Sequence, residues 1–264
     1  MKILAIHDLA GFGRSSLTTI ISVFAKFGHQ CVPAPTAIFS THTAFADYKM
    51  CDLSGFLDEY IEHYNKLNLK FDAIYSGFLS SESQIDSVIS ACGKFPQSSV
   101  IIDPVMGDEG KVYTTYTKSM CEKMKKLIRH ADIITPNITE VKILLDLPMD
   151  FLATSEHEIL NLSKKLANFG PKTIIITGLH LNNDKIATAF YSNGNIYFHE
   201  NDYIDQYFPG TGDLFTSIFI SKMLNGDDLQ KSVEFASDFI GKAINHTIKL
   251  GTEPLFGVEF ESLL

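Results

Sequence analysis

Short, almost wholly apolar runs alternate along this chain with longer stretches in which apolar residues recur every three or four positions. The short runs are Lys2–Ile6, Ala73–Ser76, Val100–Asp103, Asp132–Thr135 and Thr173–Thr177. Rich in β-branched residues and ending near glycine, proline or a small polar residue, they predict strands. Strands apolar at consecutive positions belong to a parallel sheet covered on both faces. The longer stretches predict helices over Ser15–Phe27, Leu53–Leu67, Ser83–Gly93, Lys118–Arg129, Glu140–Leu145 and Glu156–Phe169. Two later runs, Ile186–Tyr191 and Asn195–His199, flank Ser192-Asn193-Gly194 and predict a hairpin. Helical patterns over Asp213–Leu224 and Asp228–Lys249 close the chain, with Gly226 suited to the left-handed position after the first. The alternation predicts a doubly wound α/β sheet. With no repeat, low-complexity tract or linker, residues 1–264 are expected to form one domain.

Composition narrows the function. A hydrophobic fraction of 45% supplies a sizeable core, and a net charge of −9 disfavours a nucleic-acid partner. It does not exclude a nucleotide, because a local cluster of backbone N–H groups and a metal can override the global field. The four cysteines, Cys31, Cys51, Cys92 and Cys121, are scattered in neither zinc-site nor disulfide spacing, which fits a reducing compartment. The opening apolar run is too short for a signal peptide, and no stretch approaches the ~20 apolar residues that span a bilayer. A cytoplasmic protein with no membrane partner is expected.

The densest chemistry lies at Pro209-Gly210-Thr211-Gly212-Asp213, a Gly-x-Gly turn running into an apolar helix. Glycine permits positive φ and close approach of a ligand, and a helix start offers unpaired N–H groups and partial positive charge. Such a turn could hold a transferring phosphoryl group while Asp213 takes the proton of an attacking hydroxyl. The same residues serve equally as a tight turn with Asp213 as a helix cap.

Further candidates fall at other predicted strand ends. Asp103-Pro104-Val105-Met106-Gly107-Asp108 sets two carboxylates on a turning loop, either a Mg²⁺ site or a solvated acidic turn. In Thr135-Pro136-Asn137-Ile138-Thr139-Glu140, Asn137 and Glu140 have the spacing of a capping box, and could also lie near metal and phosphates. Thr177-Gly178 could complete a nucleotide cleft. After the first strand, Gly11-x-Gly13-x-x-Ser16 is an incomplete dinucleotide fingerprint, and the chain has no Walker A lysine. Asp8 is placed to bind a small polar ligand. Phe39–Phe45, read as a loop, offers hydroxyls, His42 and aromatics suited to a planar heteroaromatic ring; a surface loop with a lone histidine is the plainer reading.

In order along nearly the whole chain, Ile6–Gly13, Phe39-Ser-Thr-His-Thr43, Ser76-Gly-Phe78, Asp103-Pro-Val-Met-Gly-Asp108, Ile134-Thr-Pro-Asn-x-x-Glu140, Ile176-Thr-Gly178 and Gly210-Thr-Gly-Asp213 resemble the pyridoxal/pyridoxamine kinases of the ribokinase-like superfamily. The resemblance implies a ribokinase-like three-layer α/β/α sandwich with a central, mostly parallel sheet. It implies ATP-dependent phosphorylation of the 5-hydroxymethyl group of a vitamin B6 compound, with Asp213 as base and Gly210, Thr211 and Gly212 as the anion hole. Asp103, Thr135, Asn137, Glu140, Thr177 and Gly178 would surround ATP. Asp103, Glu140 and, less directly, Asp108 would hold Mg²⁺. Asp8, His42, Thr43, Phe78 and Asp213 would meet the B6 vitamer. A monovalent cation such as K⁺ and a homodimer are also implied.

Two positions depart from that family. Asp8 stands where many pyridoxal kinases have serine, and a carboxylate there resembles the related hydroxymethylpyrimidine kinases; Phe78 stands where tyrosine is frequent. The alternatives are therefore a hydroxymethylpyrimidine kinase, or a non-catalytic nucleotide or vitamin sensor. With no cysteine near the glycine turn, no covalent adduct with pyridoxal is expected.

Overall fold

The computed structural model describes residues 1–182 and 184–264. The first half runs β1 (Lys2–Phe12), α1 (Ser16–Lys26), β2 (Gln30–Thr41), β3 (Met50–Asp52), α2 (Ser54–Lys66), β4 (Ala73–Ser76), α3 (Glu82–Lys94) and β5 (Ser99–Ile102). A small ribbon of β6 (Gly107–Asp108) and β7 (Lys111–Val112) follows, then α4 (Lys118–Leu127), β8 (Ile133–Ile134), α5 (Ile138–Leu144) and α6 (Glu156–Ala167). The chain ends with β9 (Thr173–Asn182), β10 (Lys185–Ser192), β11 (Asn195–Asp202), α7 (Thr211–Leu224) and α8 (Leu229–Leu250).

Among the described residues, nine strands form one sheet in the order β11-β10-β9-β8-β5-β4-β1-β2-β3. Pairing is parallel from β2 through to β9, and β3, β10 and β11 add antiparallel edges. The strands read as unbroken apolar runs because both faces are covered. Leu4, Ile6, Ile74, Val100, Ile102, Ile134, Ile174 and Ile176 point into a core shared with α2 to α6. Ile3, Ala5, Tyr75, Ile101, Ile133 and Ile175 point the other way, against α1, α7 and α8. The result is the expected three-layer α/β/α sandwich. Among the described residues, no helix is long and apolar enough to cross a membrane.

Three features differ from the sequence expectation. β1 does not stop at Ile6 but continues to Phe12, and β2, absent from the predicted strands, pairs with it along most of its length. Pro33 and Pro35 conceal β2 in the sequence; β3 pairs only with Ala37–Phe39, so both prolines lie on an unpaired edge, where a strand tolerates them. Phe39–Phe45 is accordingly not one loop, because Phe39, Ser40 and Thr41 finish β2. β9, in turn, does not end at Thr177. It passes through Gly178, at φ +68°, as a bulge and runs on to Asn182.

The topology positions the site. Beyond β1 the chain crosses to α1 on one face of the sheet, and beyond β4 it crosses to α3 on the other. Adjacent strands whose connections diverge leave a crevice at their carboxyl ends, the usual ligand position in open α/β sheets.

Candidate active site

The crevice is built first from β1. Its register against β2 slips between His7 and Leu9, and a bulge of this kind re-aims side chains at a sheet rim. His7 and Asp8 sit at the slip, both buried. The His7 ring donates from Nδ1 to Asp8 Oδ1 at 2.8 Å. Its Nε2 lies 3.0 Å from Asp213 Oδ1, close enough for charge attraction but off the line of a good hydrogen bond. Burial opposes a charged ring, yet the Asp213 carboxylate and then Asp8 outweigh it, and the pKa of His7 is pushed up to about 10.

Asp213 arrives from α7. Gly210 takes the N-cap position at φ +82°, and a Cβ there would collide with the Arg14 carbonyl, so the turn requires glycine. Among the described residues no side chain caps α7, which leaves the N–H groups of its first turn, where Thr211, Gly212 and Asp213 lie, without a capping partner. Asp213 is not the helix cap. Its Oδ2 instead accepts the backbone N–H of Ser16 at 2.6 Å, and Ser16 holds φ +56° to donate it. A non-glycine residue in that region costs roughly 1–3 kcal/mol. Arg14, which packs against the Gly210 turn, is tied to the C-terminal segment through Glu259 and Glu261, each at 2.8 Å.

The other wall comes from β5, β8 and β9. Asp103 is buried, and burial first, then the charge of Asp213, raises its pKa to about 7, with His7 and the Thr135 hydroxyl pulling the other way. Asn137 and Glu140 form a reciprocal capping box at the start of α5. Glu140 accepts Asn137 N–H at 2.8 Å through one oxygen and Met106 N–H at 3.1 Å through the other. Burial and the charge of Asp103 nevertheless raise its pKa well above the usual carboxylate range. Asn137 donates to the Gly107 carbonyl at 2.9 Å, which pins the β6–β7 ribbon carrying Asp108, and it bridges to Thr177 on β9. Burial likewise raises the Asp108 carboxyl, despite a 2.9 Å hydrogen bond from Glu109 N–H. Among the described residues, no three His, Cys, Asp or Glu side chains converge as a metal cage.

The residues expected around an aromatic substrate divide. Phe78 is buried against Phe39 and Tyr116, and Thr43 is exposed. His42 is committed to the fold: Nε2 donates to Leu255 O at 2.7 Å and Nδ1 accepts Ala44 N–H at 3.3 Å, leaving only its ring face. Sequence reasoning overlooked His7 and the Ser16 N–H. His7 was visible as an ionisable residue inside an apolar strand, a signal in its own right, whereas Ser16 announces nothing until the fold brings it to Asp213.

A sheet with divergent connections, a glycine turn opening α7 and a carboxylate at the rim define a ribokinase-like α/β kinase fold. The model of the phosphomethylpyrimidine kinase family matches residues 17–256, and the chain belongs to that family. It is 36% identical to a putative phosphomethylpyrimidine kinase from Bacteroides thetaiotaomicron, solved in a form with pyridoxal, with a TM-score of 0.94 over 99% of this chain and 93% of that one. It is 25% identical to pyridoxal kinase from Lactobacillus plantarum, with a TM-score of 0.92 over 99% and 94% of the two chains. It is also 25% identical to the hydroxymethylpyrimidine/phosphomethylpyrimidine kinase of Bacillus subtilis, over 70% of this chain and 68% of that protein. The chain is a kinase of this family.

Proposed function

We propose that the protein transfers the γ-phosphoryl group of ATP to the 5-hydroxymethyl oxygen of a vitamin B6 compound. The observation that carries the reading is the Asp213 carboxylate, held at the rim in the first turn of α7 by His7 and Ser16. In this reading Asp213 accepts the hydroxyl proton as the oxygen attacks. The N–H groups after Gly210 hold the charge that develops on the phosphoryl oxygens. Asp8, beside Asp213, meets a polar group of the ring, with Phe78 and Thr43 around it. Thr135, Asn137, Thr177 and Gly178 line the path of the nucleotide.

The acids of the second wall fit Mg²⁺ only in one form. Glu140 already serves two backbone donors, and Asp103 and Asp108 do not complete a cage with it. That donor set suits a hydrated ion that draws most of its ligands from water and phosphate oxygens. Asp103 and Glu140, with Asp108 beyond, would hold it, and when bound it would neutralise charge on the β- and γ-phosphates.

Asp8 favours a second reading, hydroxymethylpyrimidine as the alcohol, because a carboxylate suits an amino-pyrimidine edge; the Bacillus subtilis relative supports it. Assays of pyridoxal, pyridoxine, pyridoxamine and hydroxymethylpyrimidine side by side with ATP and Mg²⁺ decide. The first reading expects the highest kcat/KM for a B6 compound; a preference for hydroxymethylpyrimidine replaces it with the second. No transfer to any of the four removes both.

A further inference from the structure

Three carboxylates crowd the crevice, Asp8 on β1, Asp103 after β5 and Asp213 on α7, each buried or nearly so. Uncompensated, like charges in such a setting repel, and each would draw a proton. His7 touches two of them at once, 2.8 Å from Asp8 and 3.0 Å from Asp213. Space is reserved for its ring: a Cβ on Gly77, at the end of β4, would collide with it, and Tyr75 of the same strand flanks it with ring centres 6.1 Å apart. The ring is buried at 2% exposure, so its contacts are fixed and not shared with solvent.

We infer that His7 is a positioning residue for phosphotransfer, a charged ring that clamps the Asp213 carboxylate against the Ser16 N–H and fixes its aim into the crevice. The inference rests on the reading of Asp213 as the base. The clamp has three parts with separate origins. His7 comes from the β1 bulge, Gly77 leaves room for it, and the left-handed Ser16 supplies the second hold on the carboxylate. With Oδ1 held by His7 and Oδ2 by Ser16, the orientation of the carboxylate is fixed by two contacts. The pKa of His7, pushed up to about 10 by its two carboxylate neighbours against the cost of burial, keeps the ring charged through the neutral range. The titratable groups facing it are Asp8 on its own strand, Tyr75 on β4, Asp103 after β5 and Asp213 on α7.

Nuclear magnetic resonance of the whole chain with isotope-labelled histidine follows the ring without any assay of activity. The His7 ring is expected to stay protonated to about pH 10, and its midpoint to fall by about one unit or more in Asp213→Asn. A midpoint near the ordinary histidine value, or one unmoved by Asp213→Asn, overturns the clamp. Kinetics supply the second arm. His7→Gln, assayed with ATP and the alcohol the wild type prefers, should lose about 10²-fold in kcat, the cost of a misaimed group, while KM for ATP holds. The acid limb of its pH profile should also rise by about one unit or more, since the opposing charge is gone. Gly77→Ala, which keeps His7 but displaces its ring, should show the same kinetic signature. Wild-type kcat and pH profile in both variants overturn the inference. If the wild type transfers no phosphate while the ring titrates as expected, the His7–Asp213 ion pair stands, but the base assignment and with it the positioning role fail.

Discussion

On the β1–α7 side of the crevice two acids contact the His7 ring directly, whereas Asp103 on the β5–β8 side feels its charge without touching it. Asp8 and Asp213 are joined through His7 within 3.0 Å. Burial raises the pKa values of both Asp103 and Glu140, helped by the charge of Asp213 on Asp103 and by that of Asp103 on Glu140. One half of the site is therefore partly compensated by the fold itself. The other carries largely unrelieved acidity, which a cation arriving with a nucleotide would relieve. The contrast fits a division of labour: a rigid half that aims a base, and a half whose charge balance is completed by its ligand.

Linkage gives both halves the same sign with different windows. A folded-state pKa above the unfolded value means stability that is present at low pH and lost as pH rises. For His7 the contribution is full below about pH 6.5 and is lost as pH climbs through about 10. For Asp103 it is full below about pH 3.8 and is lost as pH passes through about 7.

The largest structural effect is expected at the turn that carries Asp213. Gly210→Ala forces a Cβ onto the Arg14 carbonyl at positive φ, and chemical denaturation should show a loss of about 3 kcal/mol. Wild-type stability in that variant would mean the turn is not held as described. Next, Asp8→Asn tests the side of the crevice that meets the alcohol: KM for the alcohol should rise about tenfold, the equivalent of ~1.4 kcal/mol, with KM for ATP unchanged. A parallel rise in KM for ATP would blur the two halves. On the other wall, Asp103→Asn should raise the melting temperature without magnesium at pH 8 by about 2–4 °C, the equivalent of roughly 1 kcal/mol, and by less at pH 5. A fall at pH 8 would contradict the picture of unrelieved acidity. Smallest is Asn137→Ala, which removes one side of a capping box and should cost about 1 kcal/mol in urea melts.

How far the sequence spoke depended on whether a signal was local. Strands such as Ala73–Ser76 and Val100–Asp103 were legible because burial on both faces writes itself as consecutive apolar residues. The α7 turn was legible because two glycines before an apolar helix have few other uses. β2 was not, since Pro33 and Pro35 oppose a strand locally and are tolerated only because that stretch is an edge, a fact of tertiary pairing. Gly178 looked like a strand end because a bulge and a terminus leave the same residue behind. His7 and Asp213 lie more than 200 positions apart in the sequence, and no spacing rule could join them.

A single-turnover experiment tests Asp213 as the base. The wild type and Asp213→Asn are each mixed with γ-labelled ATP, magnesium and the preferred alcohol, and label in the product is followed in time. Both proteins should bind ATP alike, and transfer in Asp213→Asn should be slower by about 10² to 10⁴, the usual worth of a positioned general base. Equal rates of transfer would contradict that role.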